Sequence, residues 1–339
     1  MPTSSDMRVL VVAQQKGGVG KTTLSKMLAV YASREALGNK RVLLIDLDYQ
    51  ASLSKLVLQM DYSPEKGTLP PVHPEYDEAK DPDWNGRSSS ADIFFEGNCV
   101  PYPVTHPYPV DKLMILPAHK AKLQEVEEQD RTRLRERVHN RLFEFLSLEE
   151  VRASFDLVII DTGPKESPLV RTALRAATHL IVPLTLETQC IDGLAEMLEL
   201  WQMERRTRSS NRQLILAGLV INRYDARYSI HQAYLSQLSN DPAISPLLAS
   251  TVLPQRASVA ERDSRAAIPG TLFDLPKSQD IRDKAIELCA DIFGKVYPDE
   301  AAWFKKLQPD RKYVSIVERQ LAEDSLAEPA TAHQEDGPR

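Results

Sequence analysis

The chain of 339 residues has only three cysteines, Cys99, Cys190 and Cys289, widely separated in sequence. A disulfide framework and a paired-cysteine metal site are therefore excluded, and a reducing compartment is expected. No apolar run approaches the ~20 residues that a membrane-spanning helix needs. The N-terminal MPTSSDMR lacks the apolar stretch of a signal peptide, so a cytoplasmic location is expected. Positive charge is not in excess either: 42 Lys and Arg stand against 48 Asp and Glu, a net charge of −6. Whole-chain charge thus gives no support for nucleic-acid binding, and any such contact must come from a local patch. The length fits two domains or one large α/β sheet.

What the chain does have is concentrated in residues 8–26, RVLVVAQQKGGVGKTTLSK. A β-type run, Val9 to Ala13, leads into a glycine-rich turn, after which Leu24, Met27, Leu28 and Tyr31 repeat at helical spacing. Strand, glycine loop and helix in that order form a phosphate cradle. Gly17, Gly18 and Gly20 let backbone N–H groups approach phosphate oxygens where a Cβ would obstruct them. The helix start at Lys21–Thr22 adds unpaired donors and the positive end of a dipole. Lys21 is expected to reach the β/γ-phosphates and Thr22 to offer its hydroxyl to Mg²⁺, with Val19 and Thr23 completing the nucleotide-binding loop.

Two further strands end in carboxylates. Arg41 to Ile45 runs into Asp46-Leu47-Asp48-Tyr49-Gln50, and Phe155 to Ile160 runs into Asp161-Thr162-Gly163-Pro164-Lys165. Acids at the C-terminal ends of strands beside a phosphate loop lie where Mg²⁺ and attacking water gather, and an apolar strand ending in Asp161 is the Walker B arrangement. Strand-like runs at 113–117, 179–183, 214–222 and 249–253 alternate with helical patterns at 189–206, 228–239 and 278–294. Residues 119–148 fit one long amphipathic helix or two shorter ones. This predicts an α/β fold of P-loop NTPase type, a doubly wound, mostly parallel sheet with helices on both faces. Residues 59–90, with five prolines and a Ser88–Ser90 run, are expected to be an exposed, partly disordered insertion. A domain over 1–296 is expected, followed by an extension over 297–339 in which Trp303 and Phe304 dock a short helix and an acidic disordered tail follows.

The loop K-G-G-x-G-K-T-T resembles the deviant Walker A motif of the ParA/MinD family of ATPases. Gln15 stands where the first glycine of the standard motif would be, and Lys16 supplies the additional lysine. Asp46–Gln50 resembles the D-x-D-P-Q switch I of ParA-type members, with Tyr49 in place of proline. The segment after Asp161 resembles switch II, with Gly163 and Lys165 as departures. The likeness covers about residues 8–296. It implies that Lys16 reaches the phosphates of a partner subunit, that Asp48 positions the hydrolytic water, and that Asp46 supports the metal shell around Thr22 and Asp161. Asn222 and Pro254 match positions flanking the adenine. ATP and Mg²⁺ are the implied cofactors.

The same likeness implies an ATP-dependent homodimer that binds double-stranded nucleoid DNA without sequence preference. A ParB-type or McdB-type adaptor on a plasmid, chromosome or carboxysome would stimulate hydrolysis. Arg223 and Arg227 after one strand, and Arg256, Arg262 and Arg265 after the next, are the implied DNA contacts. Arg205, Arg206, Arg208 and Arg212 form a second basic cluster, expected at a helix C-terminus, where cations are favoured for structural reasons alone. The seven residues ahead of the first strand leave no room for a helix-turn-helix domain of the operator-binding subfamily. Two alternatives stand beside this reading. A MinD-like membrane switch would use Lys312–Leu321 as an amphipathic helix. A metabolic or cluster-carrying P-loop enzyme would need substrate or cysteine motifs that the sequence lacks.

Overall fold

In the computed structural model, residues 6–106, 109–129, 135–263, 270–276 and 280–308 are described. The chain starts with β1 (Arg8–Val12), α1 (Lys21–Ser33), β2 (Val42–Asp46), α2 (Ser52–Val57) and a hairpin of β3 (Asp61–Ser63) and β4 (Gly67–Leu69). Next come α3 (Asp92–Phe95), β5 (Tyr102–Pro103), β6 (Leu113–Leu116), α4 (Lys120–Gln129), α5 (Arg135–Leu146) and α6 (Glu149–Ser154). The second half is β7 (Leu157–Asp161), α7 (Pro168–Ala176), β8 (His179–Leu184), α8 (Thr188–Arg206), β9 (Ile215–Ile221), α9 (Ser229–Asn240), α10 (Ala257–Glu261), α11 (Asp280–Val296) and α12 (Ala301–Leu307).

Seven strands form one sheet in the order β5-β6-β2-β7-β1-β8-β9, parallel throughout except for the short edge strand β5. Alternating side chains enter two separate cores. Val9, Val11, Leu43, Ile45, Val158 and Ile160 pack on one face. Leu10, Val12, Val42, Leu44, Leu157 and Ile159 pack on the other. Burial on both faces is why these strands read as continuous apolar runs rather than as an alternation. β7 pairs with β1 on one side and β2 on the other, in a register that puts Asp161 opposite both Val12 and Asp46. The glycine loop and both carboxylate-bearing strand ends thus emerge side by side at the sheet's C-terminal edge, where α/β proteins bind ligands.

Within residues 119–148, the described residues 120–129 and 135–146 are helical, as α4 and α5. Two expectations change. Residues 249–253 do not form a strand: they run beside β9 with backbone hydrogen bonds from Ala249 and Leu253, but only isolated bridges at Leu248 and Pro254. The 59–90 segment is not simply an exposed insertion. It contains the β3–β4 hairpin, and His73 and Ser88–Ser90 are buried. The serines are consumed internally, which explains why a solvated-linker composition folds inward. The Ser89 N–H and Oγ donate to Asp92 at 2.7 and 2.8 Å, and Ser90 Oγ donates to the Asp46 carbonyl at 2.6 Å. The expected acidic tail, the Lys312–Leu321 segment and Arg265 lie outside the described residues.

Of the two aromatics in α12, Trp303 is exposed, whereas Phe304 is 1% exposed and lies within 6.5 Å of Tyr31, Phe293 and Tyr297, ring centre to ring centre. Phe304→Ala should cost about 3–5 kcal/mol through lost transfer energy and cavity formation. Chemical denaturation measures this, and a loss below about 1 kcal/mol would mean that α12 does not belong to the core. His179, which opens β8, is buried, and burial together with the charge of Arg8 lowers its pKa to about 4. The unfolded chain protonates this ring near pH 6.5 while the folded chain resists. Stability should therefore fall as pH drops from about 6.5 to 4, and less steeply in His179→Gln; equal slopes in urea titrations at several pH values would contradict that assignment.

Candidate nucleotide site

The glycine loop is shaped by backbone that only glycine tolerates easily. Gly18 and Gly20 have φ of 77° and 91°, and a Cβ on Gly20 would sit 2.2 Å from Asn222 Nδ2. Asn222 thus sits directly against the loop. Its Nδ2 donates to the Val19 carbonyl at 2.9 Å, and its Oδ1 accepts from the Arg223 N–H at 2.9 Å. Both ends of the amide brace protein backbone, so its observed work is to hold the loop against the end of β9. Pro254 meets Tyr224 in an isolated bridge beside that same strand end.

Lys21 is buried, and its Nζ donates to the Lys16 carbonyl at 3.0 Å. Burial lowers its pKa, while Asp161 and Asp48 pull the other way. Thr22 Oγ1 donates to Asp161 at 2.8 Å, and Ser25 Oγ donates to the other oxygen at 2.9 Å. Asp46 receives the Ser54 N–H and Oγ at 2.9 and 2.7 Å and the Asp48 N–H at 3.1 Å. Burial raises the pKa of both Asp46 and Asp161, and for Asp161 the neighbouring Asp46 charge adds to the effect. Asp46 is thus occupied with fixing the turn that carries Asp48. Asp48 faces Gly163, where an added Cβ would lie 3.5 Å from Asp48 Oδ1. Lys165, at φ 77°, donates its N–H to the Gln15 carbonyl at 3.0 Å and ties the loop after β7 to the glycine loop.

The Lys16 side chain lies along α8, its Cγ 3.1 Å from the point where a Cβ on Gly193 would sit. Its ammonium has no ion pair or hydrogen bond among the described residues. Gly193, Ser25 and Ser54 are supporting residues that the motifs did not reveal. The available signals were a glycine in the middle of a helix, and serines one turn beyond Thr22 or just after the Asp46 turn. No cluster of three or more His, Cys, Asp or Glu able to hold a metal occurs among the described residues. The donor set at the glycine loop is instead the hydroxyl and single carboxylate of Thr22 and Asp161, which suits Mg²⁺ completed by phosphate oxygens and water.

Of the expected DNA contacts, Arg223, Arg227 and Arg256 are exposed near this same edge. Arg227 is 85% exposed and grips Asp225, whose pKa it holds down to about 2. Arg256 faces Asp280 at 3.8 Å. Arg262 does not fit the expectation. Its side chain is only 11% exposed, beside Glu261, and its carbonyl accepts from Lys26 Nζ at 2.6 Å, because α10 folds down onto the first turns of α1. In the second basic cluster, Arg208 caps α7, donating to the Ala177 and Arg175 carbonyls at 2.7 and 3.0 Å.

A parallel sheet with a glycine loop, a buried Thr22–Asp161 contact and an adjoining Asp48 defines a P-loop NTPase. Residues 7–215 match a family model described as an AAA domain. The chain is 30% identical to the chromosome-partitioning ATPase Soj of Thermus thermophilus over 260 residues, 76% of this chain and 85% of that protein. It is also 30% identical to the chromosome partitioning protein ParA of Caulobacter vibrioides over 279 residues, 80% and 90% of the two chains. An aspartate-to-alanine variant of Cyanothece McdA, solved as its ATP complex, has a similar fold, with a TM-score of 0.62 at 18% identity over 86% of this chain and 98% of that one. The chain belongs to the ParA-type family of partition ATPases.

Removing the Asn222 amide should loosen the glycine loop. Asn222→Ala should lower thermal stability by about 1 kcal/mol, the net worth of one hydrogen bond, and weaken nucleotide binding several-fold. Fluorescent-nucleotide titration checks this, and unchanged affinity would remove Asn222 from the support of the loop.

Proposed function

We propose that this protein is an Mg²⁺-dependent ATPase that dimerises when ATP is bound, binds double-stranded DNA of any sequence in that state, and distributes a cargo along the nucleoid. An adaptor on the cargo stimulates hydrolysis and so releases the DNA. The observation that carries the reading is Lys16. A second cation at the lip of the phosphate loop, with no partner among the described residues, suits a role completing the site of a second subunit. Chromosome or plasmid cargo with a ParB-type adaptor is favoured over an organelle with a McdB-type one. The relatives at 30% identity carry chromosome-partitioning names, whereas the likeness to McdA is one of fold.

Phosphoryl transfer of this kind depends on positioning and charge neutralisation rather than covalent chemistry. Lys21 balances phosphate charge, and Asp48 holds and orients the attacking water. Thr22 and Asp161 would hold Mg²⁺, which when bound neutralises charge developing on the phosphates. Lys21→Ala should abolish ATP binding, and Asp48→Ala should retain it while losing turnover. Wild-type turnover by Asp48→Ala would remove that residue from the reaction.

DNA affinity in an acidic chain requires cations gathered on one face. One subunit offers Arg223, Arg227 and Arg256, and pairing two subunits doubles them. Filter binding should detect duplex DNA of any sequence with ATP and not with ADP. Arg227→Glu should abolish it, and each lost phosphate contact should lower the salt slope by about 0.9. Lys16→Gln should bind nucleotide, remain monomeric in sedimentation and lose DNA. Equal DNA binding with ATP and ADP, or recovery on floated liposomes instead of on DNA, would overturn the proposal in favour of a MinD-like membrane switch. No helix among the described residues is long and apolar enough to cross a membrane.

A further inference from the structure

At the opposite, N-terminal edge of the sheet, a cavity of about 420 Å³ opens where β1, β8 and β9 begin, and one of about 330 Å³ adjoins it between α5, α7 and the end of α8. Both volumes fall within the range of small-molecule sites. Arg8 lines the larger, Arg175 lines the smaller, and Arg212 lines both. We propose that this edge is a binding site for a small, multiply charged anion bearing phosphate or carboxylate groups.

The charge balance supports it. Arg208 is also present, but its donors are committed to Glu204 at 3.1 Å and to the carbonyls that end α7. The remaining acid at the larger cavity, Asp6, is 3.3 Å from Arg152. Arg8, Arg175 and Arg212 have no carboxylate partner among the described residues, in a chain whose net charge is −6. Arg175 and Arg212 are exposed and Arg8 is half-buried, so the three cations stand at the mouth of the cavities without a counter-charge among the described residues. Arg8 Nε is fully buried and has no hydrogen-bond partner among the described residues, an unsatisfied donor at the floor of the larger cavity. The guanidinium of Arg212 lies 4.2 Å from the centre of the Phe143 ring. Stacking of that kind fixes the plane of the fork and leaves its edge N–H groups for bidentate contact with a phosphate or carboxylate. Mutual repulsion is already felt in the cluster: besides burial, the neighbouring Arg212 and Arg175 lower the pKa of Arg208.

The site is independent of the proposed DNA face and lies at the far end of the strands from the glycine loop. Its test must silence phosphate binding at that loop. The full chain carrying Lys21→Ala, in Mg²⁺-free buffer of low ionic strength, is titrated calorimetrically with pyrophosphate and with citrate. At least one should bind saturably, and adding Arg8→Gln or Arg212→Gln should weaken it about tenfold through loss of a charge-assisted contact. Binding of pyrophosphate alone identifies a phosphate ligand, and of citrate alone a carboxylate ligand. Arg212→Lys, which keeps the charge but not the fork, should recover only part of the affinity, and an unchanged thermal midpoint confirms folding of each variant. No saturable binding of either probe, or affinity indifferent to both glutamine substitutions, overturns the proposal. So does a duplex oligonucleotide that binds through these arginines when neither small anion does, since the surface would then be a nucleic-acid contact.

Discussion

The fixed point of the site is the Asp161 carboxylate, wholly buried between the first turn of α1 and the end of β7. An isolated charge there would be prohibitive. Two hydroxyls, from Thr22 and Ser25, hydrogen-bond to it, and Asp46 lies directly across in the strand register. The raised pKa values of both acids follow from that crowding. For a carboxylate, a raised folded-state pKa means stability that is present at low pH and lost as pH rises past the unfolded value. At neutral pH these two buried acids therefore work against folding.

Around that point the polar network is arranged in layers. Ser54 serves Asp46 through both its N–H and its hydroxyl, and the same hydroxyl receives the Ala118 N–H at 2.9 Å. Ser90 reaches the Asp46 carbonyl from the far end of the 59–90 segment. A stretch that interrupts the βα rhythm is thereby tied to the turn bearing Asp48. Local sequence could not show this, because serine and proline runs have the same composition whether solvated or folded inward. The decisive hydrogen bonds come from residues tens of positions away.

The elements most legible in sequence were those whose signal is local. The glycine loop, the apolar strands ending in Asp46 and Asp161, and the helix over α8 all appear where pattern and spacing place them. Less legible was whatever depends on two distant segments meeting. Asn222 ends a strand, as expected, but that its amide reaches the Val19 carbonyl follows from the pairing of β8 with β1 and β9. Arg262 carries the same charge in sequence as Arg256, yet one is sequestered against α1 and the other exposed. The strand expected at 249–253 is not formed: the segment runs beside β9 with hydrogen bonds from Ala249 and Leu253 but no continuous ladder.

The helix α1 connects these observations physically. On one side of its first two turns, Thr22 and Ser25 bind Asp161. On the other, Thr23 makes a short hydrogen bond to Asp263, and Lys26 bonds the Arg262 carbonyl, so both hold the end of α10. Arg256 is the residue that starts α10. The phosphate-loop helix and the segment bearing an exposed arginine are therefore joined through part-buried polar contacts. Thr23 directly follows Thr22, so the two sets of partners are held by adjacent residues of one turn. Coupling needs a differential contact between two states, and the Thr23–Asp263 and Lys26–Arg262 contacts are where such a difference would be transmitted to the arginine face.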